Sequence, residues 1–109
     1  MAYNETLAER LRRALAGRKG IEEKKMFGGI GFLLNGNMCV GVSKDSLIVR
    51  LDAEQAEEAL MEPNVEEFNA TGRSMKGWVL VTPAGTQDDD ELTDWIGRAL
   101  NYVAELPAK

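Results

Sequence analysis

Two adjacent residues, Asn35-Gly36, constrain this chain more than any others. Asn-Gly between two short apolar runs closes a two-residue hairpin, because both residues tolerate the positive φ angles of such a turn. Ile30-Gly31-Phe32-Leu33-Leu34 precedes it and Asn37-Met38-Cys39-Val40-Gly41-Val42 follows. With that loop in place, Leu34 faces Asn37, Leu33 faces Met38, Phe32 faces Cys39, Gly31 faces Val40 and Ile30 faces Gly41. Each glycine is thereby set against a β-branched residue. Ile30, Phe32, Leu34 and Cys39 then share one face of the hairpin, and Leu33, Met38, Val40 and Val42 share the other. Both faces are apolar, so each has to be covered, by helices or by a second subunit.

The rest of the chain supplies helices on either side of this hairpin. Asn4 is a helix cap, Leu7, Leu11, Ala14 and Leu15 recur at helical spacing, and Gly17 follows as a stop, which predicts a helix over about 5–16. Glu9 and Arg13 are spaced as an i,i+4 pair on its exposed side. Lys24-Lys25-Met26-Phe27 leads into the hairpin, Ser43-Lys44-Asp45-Ser46 is a second turn, and Leu47 to Leu51 is a further strand. Asp52 caps a short helix running to about Met61, with Ala53, Ala56 and Leu60 inward, and Pro63 ends it. Residues 62–76 read as a loop with a helical turn around Val65–Phe68. Trp78-Val79-Leu80-Val81 is another strand, closed by Pro83-Ala84-Gly85. Asp88-Asp89-Asp90-Glu91 then loads the start of a helix over about 89–105 with the charge its dipole favours. That helix carries Leu92, Ile96, Ala99, Val103 and Leu106, widened by Trp95, Leu100 and Tyr102. The pattern predicts one α+β domain over 1–109, with a single antiparallel sheet of about five strands in the order α-β-β-β-β-α-β-α. Leu11, Phe27, Ile30, Phe32, Val40, Val49, Leu60, Val81, Ile96, Ala99 and Val103 are its expected core.

Composition mostly excludes. With 44% apolar and 28% charged residues the chain is an ordinary globular one, and no run approaches the roughly 20 apolar residues of a membrane span. Acids and arginines interrupt the first thirteen residues where an export signal needs an apolar segment, so a cytoplasmic protein is expected. There is no histidine and a single cysteine, which removes internal disulfides, Cys/His zinc sites and imidazole catalysis. No cofactor and no metal are expected. Charge is divided unevenly, residues 1–50 being net positive and 51–109 strongly negative, within a total of −5. The basic stretch from Arg10 to Lys25 reads as a solvated helix face, and an acidic chain of this size is not expected to bind duplex DNA strongly.

Several motifs bear on chemistry. Gly31 and Gly36 have the outer spacing of a phosphate loop, but Asn37-Met38 stands where Lys-Ser/Thr is required, so the glycines around Phe27-Gly28-Gly29 serve a bend or the close approach of a partner. Cys39 lies in mid-strand without a base and is expected to be a small buried hydrophobe. Arg50, Arg73 and Lys76 each lie within or beside an apolar strand and near Trp78, where a guanidinium can stack on a ring or hold an anion.

Met26-Phe27-Gly28-Gly29-Ile30-Gly31-Phe32, Asn35-Gly36-Asn37-Met38, Gly41-Val42, Asp45-Ser46-Leu47, Arg50, Pro63, Phe68, Gly72-Arg73-Ser74-Met75-Lys76-Gly77-Trp78-Val79, Pro83, Leu92, Trp95, Ala99 and Tyr102, in that order and spacing, resemble the TfoX N-terminal domain family. The resemblance spans about Leu11 to Leu106. It implies an α+β domain with an antiparallel sheet flanked by helices, no established catalytic residues, and a part in transcriptional co-regulation. The expected function is therefore a non-enzymatic regulatory module whose partner is another protein. The expected ligand- or partner-binding residues are Phe27, Gly28, Gly29, Arg50, Arg73, Lys76 and Trp78. A small-molecule or anion-binding domain, or an enzyme using Arg50, Arg73 and Lys76, is the alternative. For the doubly apolar hairpin two solutions stay open: the helices suffice, or the chain forms a two-fold homodimer.

Overall fold

In the computed structural model, which describes residues 4–26, 29–68 and 77–107, the Asn35-Gly36 turn forms with φ angles of 53° and 86°. It joins β2 (Gly29–Leu34) to β3 (Asn37–Ser43), with Leu34 opposite Asn37 and Leu33 opposite Met38 as the loop requires. Beyond these two pairs the register departs from the straight hairpin. The ladder shifts between Leu33 and Phe32, so Phe32 faces Val40, Gly31 faces Gly41 and Ile30 faces Val42. The glycines oppose each other, and Cys39 is the extra residue of a β-bulge. Side-chain volume accounts for the shift. A straight hairpin would turn Asn37, Cys39 and Gly41 toward the side that Phe32 and Ile30 occupy, leaving that side nearly empty. The bulge turns Val40 and Val42 to it instead, and both are fully buried. Each buried valine contributes roughly 1.5–3 kcal/mol, more than the about 1 kcal/mol at stake in one ladder hydrogen bond.

Four further strands extend the hairpin. β1 (Ile21–Met26) pairs with β2, and β4 (Ser46–Arg50) returns from β3 through a tight turn in which Lys44 has φ 55°. Val65–Glu67, expected within a loop as a helical turn, is a short strand, β5, with Val65 opposite Val81 of β6 (Trp78–Val81). Three residues carry no readable period. The free edge of β6 decides their conformation. Among the described residues the sheet therefore has six strands, all antiparallel, in the order β1-β2-β3-β4-β6-β5. Its α+β class and helix-strands-helix-strand-helix order stand as expected. Gly77 aligns β6 on β4: the Leu51 amide donates to its carbonyl at 2.6 Å, its φ is +83°, and a Cβ there would lie 2.7 Å from the Leu51 carbonyl oxygen. Only glycine meets both conditions.

Among the described residues three α-helices pack on one face of this sheet. In α1 (Glu5–Leu15) the Asn4 side chain accepts from the Leu7 amide at 3.1 Å, and Gly17 follows with φ +83°. Leu7, Ala8, Leu11 and Leu15 are buried, whereas Ala14 is exposed. At about 100° per residue the inward arc runs from Leu7 to Ala8 with Leu11 and Leu15 between them, and Ala14 falls outside it. The intrahelical pair is Glu9 with Arg12 at 3.2 Å, rather than with Arg13. In α2 (Ala53–Ala59) Asp52 caps the Gln55 amide at 2.8 Å, and Ala56 and Ala59 are buried while Ala53 is exposed. α3 (Asp89–Val103) begins with three acids in its first turn and buries Leu92, Trp95, Ile96, Ala99, Leu100 and Val103. Of the expected core, Leu11, Ile30, Phe32, Val40, Val49, Val81, Ile96, Ala99 and Val103 are buried together. Leu60, just past the last turn of α2, is half-buried. Phe27 lies outside the described residues. Among the described residues no helix is long and apolar enough to cross a membrane.

Candidate functional site

The side of the sheet away from the helices is the part of the molecule that packing alone does not account for. Leu33, Met38, Ile48 and Phe68 form a second, smaller apolar cluster there, with Trp78 and Leu80 half-buried against it. Val40 and Val42, expected on this side, are in the main core because of the bulge at Cys39. Leu33 at 8%, Met38 at 7% and Ile48 at 1% exposure are buried within one chain, so a second copy is not needed to cover them.

Arg50 and Trp78 meet at the end of this face. They are directly opposite one another across β4 and β6, and the Arg50 guanidinium lies 5.3 Å from the centre of the Trp78 ring. Tyr102, from the last turn of α3, approaches the same guanidinium at 6.0 Å. Phe68 lies 6.0 Å from Trp78 with the rings tilted by 41°. Arg50 Nη1 donates to the Met38 carbonyl at 3.5 Å. That carbonyl has a reason to need it. In a two-residue hairpin Leu34 and Asn37 exchange hydrogen bonds, so Met38 points its carbonyl toward β4, where the ladder has already ended at Val40 and Val49.

The other residues expected at a site divide clearly. Gly29 begins β2 and is buried, and a Cβ on it would run into the Val42 carbonyl, so its service is the close approach of β2 and β3. Phe27, Gly28, Arg73 and Lys76 lie outside the described residues. Tyr102 is the neighbour that the sequence does not reveal: its spacing places it in the width of the last helix, and nothing local ties it to Arg50. Cys39 is fully buried, donates from Sγ to the Phe32 carbonyl at 3.2 Å, and has its thiol pushed by burial up to about 11. At neutral pH it is a protonated, inert thiol.

Charge elsewhere is largely self-contained. Arg12 grips Glu23 of β1 through Nε at 2.7 Å and Nη2 at 2.9 Å and also reaches Glu9. Those hydrogen bonds hold the Glu23 carboxyl below its ordinary value and raise Arg12. Arg10 bonds Asp89 at 3.0 Å, and Lys24 lies 3.9 Å from Glu22. Arg98 stacks on Trp95 at 4.4 Å and bridges Glu62 at 2.8 Å and Asp94 at 2.9 Å, which raises it. A groove of about 340 Å³ between α2 and α3 is lined by Leu51, Gln55, Glu58, Ala59, Glu62 and Arg98. Its one cation is already held by two carboxylates. Among the described residues, no three His, Cys, Asp or Glu side chains are grouped closely enough to hold a metal ion.

A family model described as the TfoX N-terminal domain matches residues 13–102, most of the chain. No curated protein and no solved structure matches it.

Proposed function

The chain belongs to the TfoX N-terminal domain family, and from that premise we propose that it is a non-enzymatic regulatory module that works in the cytoplasm by binding another protein. The observation that carries this reading is the end of the face opposite α1, α2 and α3, where Arg50, Trp78 and Leu80 are half-buried beside a closed apolar cluster. Such a mixture of aromatic, aliphatic and guanidinium surface suits a protein contact, in which aromatic residues and arginine are enriched. Among the described residues it holds no nucleophile beside a base, and the buried thiol of Cys39 faces the opposite side of the sheet. Direct duplex-DNA binding fits poorly, because Arg10, Arg12 and Lys24 are already spent on carboxylates of the same chain.

The test is capture from lysate with the full chain, alongside Arg50→Ala and Leu80→Glu variants that keep the wild-type circular dichroism. A partner retained by the wild type and lost by both variants supports the module. Turnover of any compound in a broad substrate panel, abolished by Arg50→Ala, would replace it with the enzyme reading.

A further inference from the structure

Three arginines among the described residues are half-buried: Arg10, Arg50 and Arg98. Arg10 is ion-paired with Asp89, and Arg98 with Glu62 and Asp94. Among the described residues Arg50 pairs with no carboxylate. Its Nη1 donates to the Met38 carbonyl, while Nε and Nη2, the pair of donors on the side of the guanidinium, make no hydrogen bond among the described residues. Trp78 and Tyr102 lie against the group without neutralising it. A partly desolvated, tethered cation with an unused pair of donors is short of one ligand, and two parallel N–H donors match the two oxygens of a carboxylate.

The geometry points to Arg50 as the receptor for a carboxylate side chain on an apolar-flanked acidic segment of a protein partner. This deepens the module reading and rests on it for the source of the carboxylate. The flanks follow from the surroundings: half-buried Trp78 adjoins the guanidinium and half-buried Leu80 follows it on the same face of β6, so the segment that brings the acid also has aliphatic side chains to cover them. The chain's net charge of −5 sets a further restriction, since a run of acids would be repelled before reaching the site. The fitting ligand is a single Glu or Asp between apolar residues.

Nitrogen-15 NMR on the full chain reads this at the Arg50 Nε–H resonance, with the exposed Arg13 and Arg18 as internal controls. The probes are acetate, a capped Leu-Glu-Leu peptide and its Leu-Gln-Leu counterpart, at constant ionic strength. Arg50 Nε–H is expected to move and saturate with acetate. Leu-Glu-Leu should do the same about ten-fold more tightly, the effect of covering roughly 55 Å² of apolar surface. Leu-Gln-Leu should give no response, and Arg50→Lys, which keeps the charge and loses the fork, should abolish the peptide-induced shift of the Trp78 indole N–H. No saturating movement, or the same movement at Arg13 and Arg18, overturns the carboxylate site even if a protein partner is captured by other means. Saturation by acetate with Leu-Glu-Leu no tighter overturns the proposal from the other side, because the carboxylate then comes from a free small acid and the protein-partner reading loses its support.

Discussion

Adding one methyl group to each of two glycines should move stability in opposite directions. Gly97 lies inside α3, and a Cβ there would meet nothing within 4 Å. Gly97→Ala then changes only the backbone freedom of the unfolded chain and the helix propensity, a gain of about 0.5–1 kcal/mol. For a domain of this size that is a rise in Tm of about 2–8 °C. Gly41 is placed differently. A Cβ on it would lie 2.6 Å from the Ile30 carbonyl oxygen, 2.8 Å from the Met38 Cε and 3.3 Å from the Gly31 Cα. The Met38 methyl can swing aside, but the Ile30 carbonyl belongs to the β2–β3 ladder and cannot retreat without opening it. Overpacking of this kind costs about 2–3 kcal/mol, and the melting temperature should fall by about 8–24 °C. Thermal melts followed by far-ultraviolet circular dichroism, checked by urea titration, measure both. A Gly41→Ala protein melting within about 2 °C of wild type would refute the bulged register, because in a straight hairpin Gly41 faces a half-empty side and an alanine there is welcome.

Three other outcomes follow from the same geometry. Arg12 lowers the Glu23 carboxyl, so the pair stabilises the fold above the ordinary carboxylate range and its contribution disappears as the pH falls through the lowered value. Glu23→Gln should therefore cost up to about 1 kcal/mol at neutral pH, the pair being exposed, with the gap to wild type closing below about pH 4 in urea titrations; a gap that widens toward acid contradicts the assignment. Cys39 should resist a thiol reagent such as DTNB at pH 8 in the native protein and react fully in denaturant, because burial holds its thiol near about 11; rapid native labelling would place it at the surface. Val40→Asp should unfold the chain, since it puts a carboxylate in the main core, and light scattering with circular dichroism would reveal a folded protein of altered assembly if Val40 instead lay on an open face.

What could be read from the sequence was what is decided locally. The Asn35-Gly36 turn, the Asn4 and Asp52 caps and the long apolar stripe of α3 depend on residues within one turn or one helix of each other, and all formed where expected. The bulge at Cys39 is decided elsewhere. Two pairs after the turn, the ladder follows whichever register fills the space under α1 and α3, and that space is invisible from β2 and β3 alone. β5 is a similar case, three residues made into a strand by the open edge of a neighbour. Arg50 and Trp78 stood out as a cation and a ring near apolar strands, but their opposition across β4 and β6 spans a helix, a loop and β5, and Tyr102 joins them from the far end of α3.

The bulge links the core to the candidate site. Had the hairpin stayed straight, Val40 and Val42 would lie on the face with Leu33 and Met38, and that face would be a broad aliphatic surface with Arg50 at its margin. Shifting the register moves both valines under the helices. The other face keeps the short cluster of Leu33, Met38, Ile48 and Phe68, with Gly31 and Gly41 side by side. The same shift ends the β3–β4 ladder at Val40, so the Met38 carbonyl is left for Arg50 rather than for a strand amide. A side chain that would otherwise extend freely from the last residue of β4 is thereby tied to the sheet and laid against Trp78. One extra residue in β3, selected because the core needs volume, also holds the guanidinium with one edge occupied and the other open.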